Sequence, residues 1–137
     1  MQDFRGLKVW DKAHLLTLNL YKITKNFPKE ELYGITSQIR RASLSIPTNI
    51  AEGCCRGSNA QFTQFIYIAL GSAGEVEYLL QLAFELGMLD KQDYDKLSKE
   101  IIEIKMMLSS FLKKLKTVPS ASCFKTETDN RQLTTVN

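Results

Sequence analysis

Apolar residues recur at alternating three- and four-residue steps in four stretches of the chain, and polar connectors separate the stretches. Val9, Ala13, Leu16, Leu20 and Ile23 fall on one face of a helix over about residues 7–25. Phe27-Pro28 closes it, because proline pushes the residue before it out of the α region. A second stripe, Leu32, Ile35, Ile39, Ala42, Ile46 and Ile50, predicts a helix from near Glu30, which Gly53 stops by adopting positive φ. Pro47 removes one backbone hydrogen bond inside this pattern. It either kinks the helix or divides it at Ile46; the spacing that continues to Ile50 favours the kink.

A third helix starts at Ser58. Ser58-Asn59-Ala60-Gln61 has the form of a capping box, in which two side chains satisfy free backbone amides. The apolar arc that follows spans roughly 200°, against the ~100° stripe of an ordinary surface helix. This helix is therefore central, or it faces both its own core and another subunit. Gly71-Ser72-Ala73-Gly74 is poor in helix propensity, and its small residues allow another backbone to come close. Gly87 marks the end. The fourth helix covers about residues 91–116. Tyr94, Leu97, Ile101, Ile104, Leu108, Phe111 and Leu115 keep a strict repeat, the seam of antiparallel bundle packing. Lys113, Lys114 and Lys116 sit at the negative end of its dipole. Short connections between long helices predict an all-α, antiparallel up-down-up-down four-helix bundle over residues 1–116. Residues 117–137 are rich in Ser, Thr, Asn and Lys, lack periodicity, and read as a disordered polar tail.

Composition narrows the class. The 137 residues are 44% hydrophobic and 24% charged, as expected for one soluble domain with a core of its own. Met1-Gln2-Asp3-Phe4-Arg5 opens on polar residues without a signal-type apolar stretch, and the longest apolar-rich stretch is broken by Gln, Ser and Glu. Three cysteines with no Cys-x-x-Cys suggest a reducing cytoplasm and no structural zinc. The net charge of +3 is unevenly spread. Up to Gly57 there are nine Lys/Arg against five Asp/Glu; from Ser58 to Leu89 there are none against three; from Asp90 to Lys116, seven against five. A mildly basic face could attract polyanions, above all if oligomerisation repeats it.

Catalytic chemistry finds no support. His14 is the only histidine, and the chain lacks the Glu-x-x-His pairs of carboxylate-bridged metal bundles. Glu75 and Glu77 point roughly 200° apart on a helix, so they cannot act as a carboxylate pair. Cys54 and Cys55 read as free thiols. No catalytic residue, metal, cofactor or small-molecule substrate is expected. The polar residues Gln38, Arg41, Ser45, Asn49 and Glu52 form one stripe beside the apolar stripe of the second helix. Antiparallel pairing places residue 41 level with about residue 72, and residue 38 level with about residue 75. Glu75 lies at the edge of an apolar arc and must be hydrated or paired. It is expected to contact Arg41 or Arg40, in a buried or interfacial network of Gln38, Arg40, Arg41, Asn49, Glu52, Ser72 and Glu75 that fixes helix register. Trp10, Tyr21, Tyr33, Tyr67 and Tyr78 fall at helical spacings and read as packing rather than as a base-stacking platform.

Several motifs occur together in order: Leu7-Lys8-Val9-Trp10, Phe27-Pro28-Lys29-Glu30-Glu31-Leu32-Tyr33-Gly34, Gln38-Ile39-Arg40-Arg41-Ala42, Ser45-Ile46-Pro47-Thr48-Asn49-Ile50-Ala51-Glu52-Gly53 and Ile68-Ala69-Leu70-Gly71-Ser72-Ala73. Over about residues 4–115 the chain resembles a bacterial four-helix-bundle family. Its namesake is encoded in the intervening sequence of 23S ribosomal RNA genes. It departs from the family pattern at Gly74-Glu75-Val76-Glu77, where a larger residue more often precedes the first Glu and Leu stands between the two. The resemblance implies a ring, a homopentamer. It also implies a fold similar to the accessory proteins of diversity-generating retroelements, which bind nucleic acid and a reverse transcriptase. With the basic N-terminal part, this makes a non-enzymatic, oligomeric binder of structured RNA or DNA the leading expectation, with Arg5, Lys8, Lys12, Arg41 and Arg56 as contacts. The alternative is a structural adaptor for a protein partner such as a reverse transcriptase. Leu44 and Ala51, off the core stripe, would then belong to an interface.

Overall fold

The computed structural model describes residues 2–117. Among them are four α-helices: α1 (Lys8–Thr24), α2 (Ile35–Cys54), α3 (Asn59–Glu85) and α4 (Lys91–Thr117). Short 3-10 turns at Phe4–Gly6 and Lys29–Glu31 precede α1 and α2. Each helix packs on its chain neighbour, and α4 closes back on α1, giving the antiparallel up-down-up-down bundle. Residues 118–137, most of the stretch expected to be a tail, lie outside the described residues.

The core is the set of stripes read from the periodicity. Ile39, Ala42, Ile46 and Ile50 of α2 are wholly buried, as are Ile66, Ala69, Ala73 and Val76 of α3 and Leu97, Ile101 and Leu108 of α4. Alanine alternates with branched residues at facing positions, so the helices interdigitate with few voids. Ser58 caps α3 with half of the capping box: its hydroxyl accepts from the Gln61 amide at 3.2 Å, while the Gln61 side chain does not return the bond. Gly87 ends α3 at φ +80°. The Met88 amide bonds the Ala83 carbonyl and the Gly87 amide bonds the Phe84 carbonyl, which satisfies two orphan carbonyls of the helix end.

Helix α2 corrects the sequence reading twice and bears it out once. It starts at Ile35, not near Glu30, and Leu32 is 46% exposed instead of joining the stripe. Pro28 and Gly34 confine the intervening residues to a single 3-10 turn, whatever the apolar period suggests. The helix runs unbroken through Pro47, as the favoured of the two readings expects, and the division at Ile46 does not occur. Finally, Gly53 is not a positive-φ stop. It lies inside the helix, where a Cβ would stand 2.6 Å from Phe62 Cδ1 and 3.1 Å from Phe65 Cβ. Its role is to let α3 come close.

Continuity through Pro47 has a visible cause. Proline brings no N–H, so the Ser43 carbonyl loses its usual donor four residues on. The Thr17 hydroxyl of α1 lies 3.0 Å from that carbonyl and 2.8 Å from the Ala13 carbonyl of its own helix. A hydroxyl has one proton, and the Ser43 carbonyl is the acceptor left without a helical donor. Both residues are buried, so α1 supplies what the α2 backbone lacks.

Candidate nucleic-acid interface

With four antiparallel helices, the start of α1, the α2–α3 turn and the end of α4 meet at one end of the bundle. Two contacts fix this end. The Gln2 amide bonds the Cys54 carbonyl at 3.2 Å, and Phe62 of α3 meets Phe111 of α4 edge-on with centroids 5.3 Å apart. Arg5, Lys8 and Arg56 of the expected contact set share this end with Lys113, Lys114 and Lys116. Among the described residues, Asp3 and Glu52 lie beside them, 3.4 Å from Arg5 and 3.6 Å from Arg56, and Asp11 sits in the first turn of α1. All four of these paired side chains are largely exposed, so both bridges are weak and open to exchange for another anion. Arg5 also lies over the Phe4 ring and Arg56 over the Phe65 ring, which holds both guanidinium groups in place at the surface.

Lys12 and Arg41 do not join them. Lys12 bridges α1 to Glu103 of α4 at 3.3 Å, along the side of the bundle. Arg41 is paired with Glu75 and bonds Gln38 at 3.0 Å, midway along α2. Lys113, Lys114 and Lys116, read from the sequence only as partners of the helix dipole, join the basic end instead. An even number of antiparallel helices brings the two chain ends together, and that signal was available in the sequence.

The expected polar network divides into four. Gln38, Arg41 and Glu75 make one cluster, with both charged side chains partly exposed rather than buried. Ser72 bonds Ser45 at 2.7 Å, and Asn49 donates to the Ser45 carbonyl and hydroxyl, making a second contact between α2 and α3. These pairs put α3 nearly one turn further along α2 than level counting gives, because residues 55–58 carry the chain past the end of α2 before α3 begins. Arg40 turns the other way. Its Nε donates to Thr24 Oγ1 at 2.8 Å and its Nη2 to the Tyr21 carbonyl at 3.3 Å, so it holds the C-terminal turn of α1, where a cation is favoured. Glu52 is engaged by Arg56.

The remaining candidate chemistry is dispersed. His14 stacks on Trp10, centroids 4.9 Å apart. Among the described residues, no group of three or more His, Cys, Asp and Glu side chains could hold a metal ion, and no helix is long and apolar enough to cross a membrane. Cys54 is buried and Cys55 exposed. Burial, with a smaller push from Cys55, raises the Cys54 thiol above its ordinary range and leaves little reactive thiolate. In a Cys123→Ser background, an aromatic disulfide reagent is therefore expected to titrate Cys55 in the native protein and Cys54 only on unfolding. Equal rates for the two thiols would contradict the assignment.

No curated protein matches the sequence. A solved structure does: a protein of unknown function from the S23 ribosomal protein family of Bacteroides thetaiotaomicron, 31% identical, with a TM-score of 0.69 over 77% of this chain and 98% of that one. Residues 5–110 match the family described as 23S rRNA-intervening sequence protein. The match runs from the Phe4–Gly6 turn through α1, α2 and α3 and into α4 as far as Ser110, and this chain belongs to that family.

Proposed function

We propose that the protein is a non-catalytic, self-assembling bundle that binds structured RNA through its basic end. The observation that carries this reading is the gathering of six cations, Arg5, Lys8, Arg56, Lys113, Lys114 and Lys116, from three separate stretches of chain, with Asp3, Asp11 and Glu52 the carboxylates described at that end. Phosphate contacts add through counterion release, so a repeated end binds far more strongly than a single one. A homopentameric ring with parallel subunits would set five such ends around one rim. The family description names an intervening sequence of 23S rRNA, which makes a structured RNA the first polyanion to try.

The test is fluorescence anisotropy of a labelled RNA hairpin across a salt series, with particle mass from light scattering on the same sample. The expected result is an oligomer whose log affinity falls linearly with log salt. Replacing Lys8, Arg56 and Lys113 together by alanine is expected to lower that slope by about 3 for each subunit end that the hairpin contacts, near one unit for each phosphate that is no longer neutralised. Circular dichroism should be unchanged, since the three side chains are exposed. An oligomer that leaves the hairpin free at low salt would move the function to a protein-binding scaffold.

A further inference from the structure

Two sides of the bundle carry apolar surface that its own fold leaves uncovered, and they differ in charge. One is the outer face of α3. Tyr67, Ile68 and Tyr78 are exposed there, with Tyr78 at 58%. The 27 residues of α3 include no lysine or arginine; their charges are Glu85 and, paired with Arg41 of α2 and Lys105 of α4, Glu75 and Glu77. Gly71 lies between the two tyrosines on this face, and a Cβ on it would meet nothing within 4 Å. Glycine inside a helix is unfavourable relative to alanine, and nothing in the subunit requires it here.

The other side is the seam between α1 and α4. Two adjoining grooves that share Glu103 run along it, the larger about 750 Å³. Leu15, Leu18, Ile102 and Met106 are exposed in them, Met106 at 66%. Lys12, Lys22, Lys96 and Lys99 edge the seam, with Lys8 and Lys114 at one end. Against these six lysines stand two carboxylates, Glu100 and Glu103, and Glu103 is engaged by Lys12.

We infer that the α1–α4 seam of one copy receives the α3 face of the next. The inference rests on the self-assembly proposed above and names its surfaces. The surfaces are complementary: an apolar stripe edged by a surplus of lysines meets an apolar stripe on a helix that carries no cation of its own, with Glu85 exposed on it and Glu75 and Glu77 at its edges, bridged to Arg41 and Lys105 of the flanking helices. The bare Gly71 backbone admits the protruding Met106 side chain. Because the two patches are different, the contact is head-to-tail, which is the contact a closed ring requires; a patch that met only itself would stop at a dimer.

Complementation tests this. Met106→Glu blocks the seam, and Gly71→Arg blocks the α3 face. Both positions face solvent in the subunit, so each variant is expected to keep native circular dichroism. Sedimentation velocity should show wild type as an oligomer and each variant alone as a single subunit. An equimolar mixture should give a particle of two subunits and no larger, because one intact seam then meets one intact α3 face. Two outcomes overturn the pairing: either variant alone assembling like wild type, or a mixture that stays monomeric. A monomeric wild type would instead overturn the self-assembly reading beneath it.

Discussion

Gly53→Leu is expected to destabilise the bundle by about 3 kcal/mol, the upper end of the range for overpacking a close-packed site. Even a Cβ at this position would stand 2.6 Å from Phe62 Cδ1 and 3.1 Å from Phe65 Cβ. Neither atom is the free tip of a flexible chain. Phe62 is buried and wedged edge-on against Phe111, so its ring cannot swing aside without opening the α3–α4 contact. Gly53→Ala should fall at the lower end, near 1 kcal/mol, because better helix propensity offsets part of the clash. Urea unfolding of Gly53→Ala, Phe62→Ala and the double variant checks the cause. Removing the ring should make the alanine at 53 harmless or favourable. An additive pair would place the strain elsewhere.

Thr17→Val is expected to cost about 1–3 kcal/mol, the penalty of leaving a buried acceptor unpaired. Valine matches threonine in shape and nearly in helix propensity, so the change isolates the hydroxyl. The Ser43 carbonyl, 3.0 Å from that hydroxyl, then has neither an α1 donor nor the helical one that Pro47 lacks. Pro47→Ala restores an N–H four residues on. In that background Thr17→Val should lose most of its cost, with a coupling of about 1 kcal/mol or more in a double-mutant cycle. Equal penalties in both backgrounds would show that the hydroxyl does not compensate for the proline.

These two sites mark what was legible in the sequence. Apolar spacing located all four helices, because burial follows the 3.6-residue period: Ile39, Ala42, Ile46 and Ile50 are wholly buried, as their steps require. Leu32 kept the same step and misled, since its period says nothing of the Pro28 and Gly34 backbone that confines its segment. Gly53 was visible as a special position, but a glycine that turns the chain and one that admits a neighbour look alike without the neighbour. A helical wheel likewise put Arg40 beside Arg41 without saying which helix each would reach, and they reach opposite ones. The candidate interface was half legible. Arg5, Lys8 and Arg56 stood out by charge, whereas Lys113, Lys114 and Lys116 joined them only once the bundle brought the two chain ends together.

The order of the helices also bears on how the molecule folds. The connections between consecutive helices are short, so α1–α2, α2–α3 and α3–α4 each form from residues close in sequence. Such low contact order favours folding within microseconds to milliseconds. The α1–α4 seam is the exception, its Lys12–Glu103 pair joining residues 91 positions apart. Closing it carries the loop entropy of nearly the whole bundle. It is therefore expected to form last and open first, so that in native-state hydrogen exchange amide hydrogens protected only by that docking exchange ahead of those between α2 and α3. A subunit seated on the seam, as proposed above, would clamp the weakest joint of its neighbour.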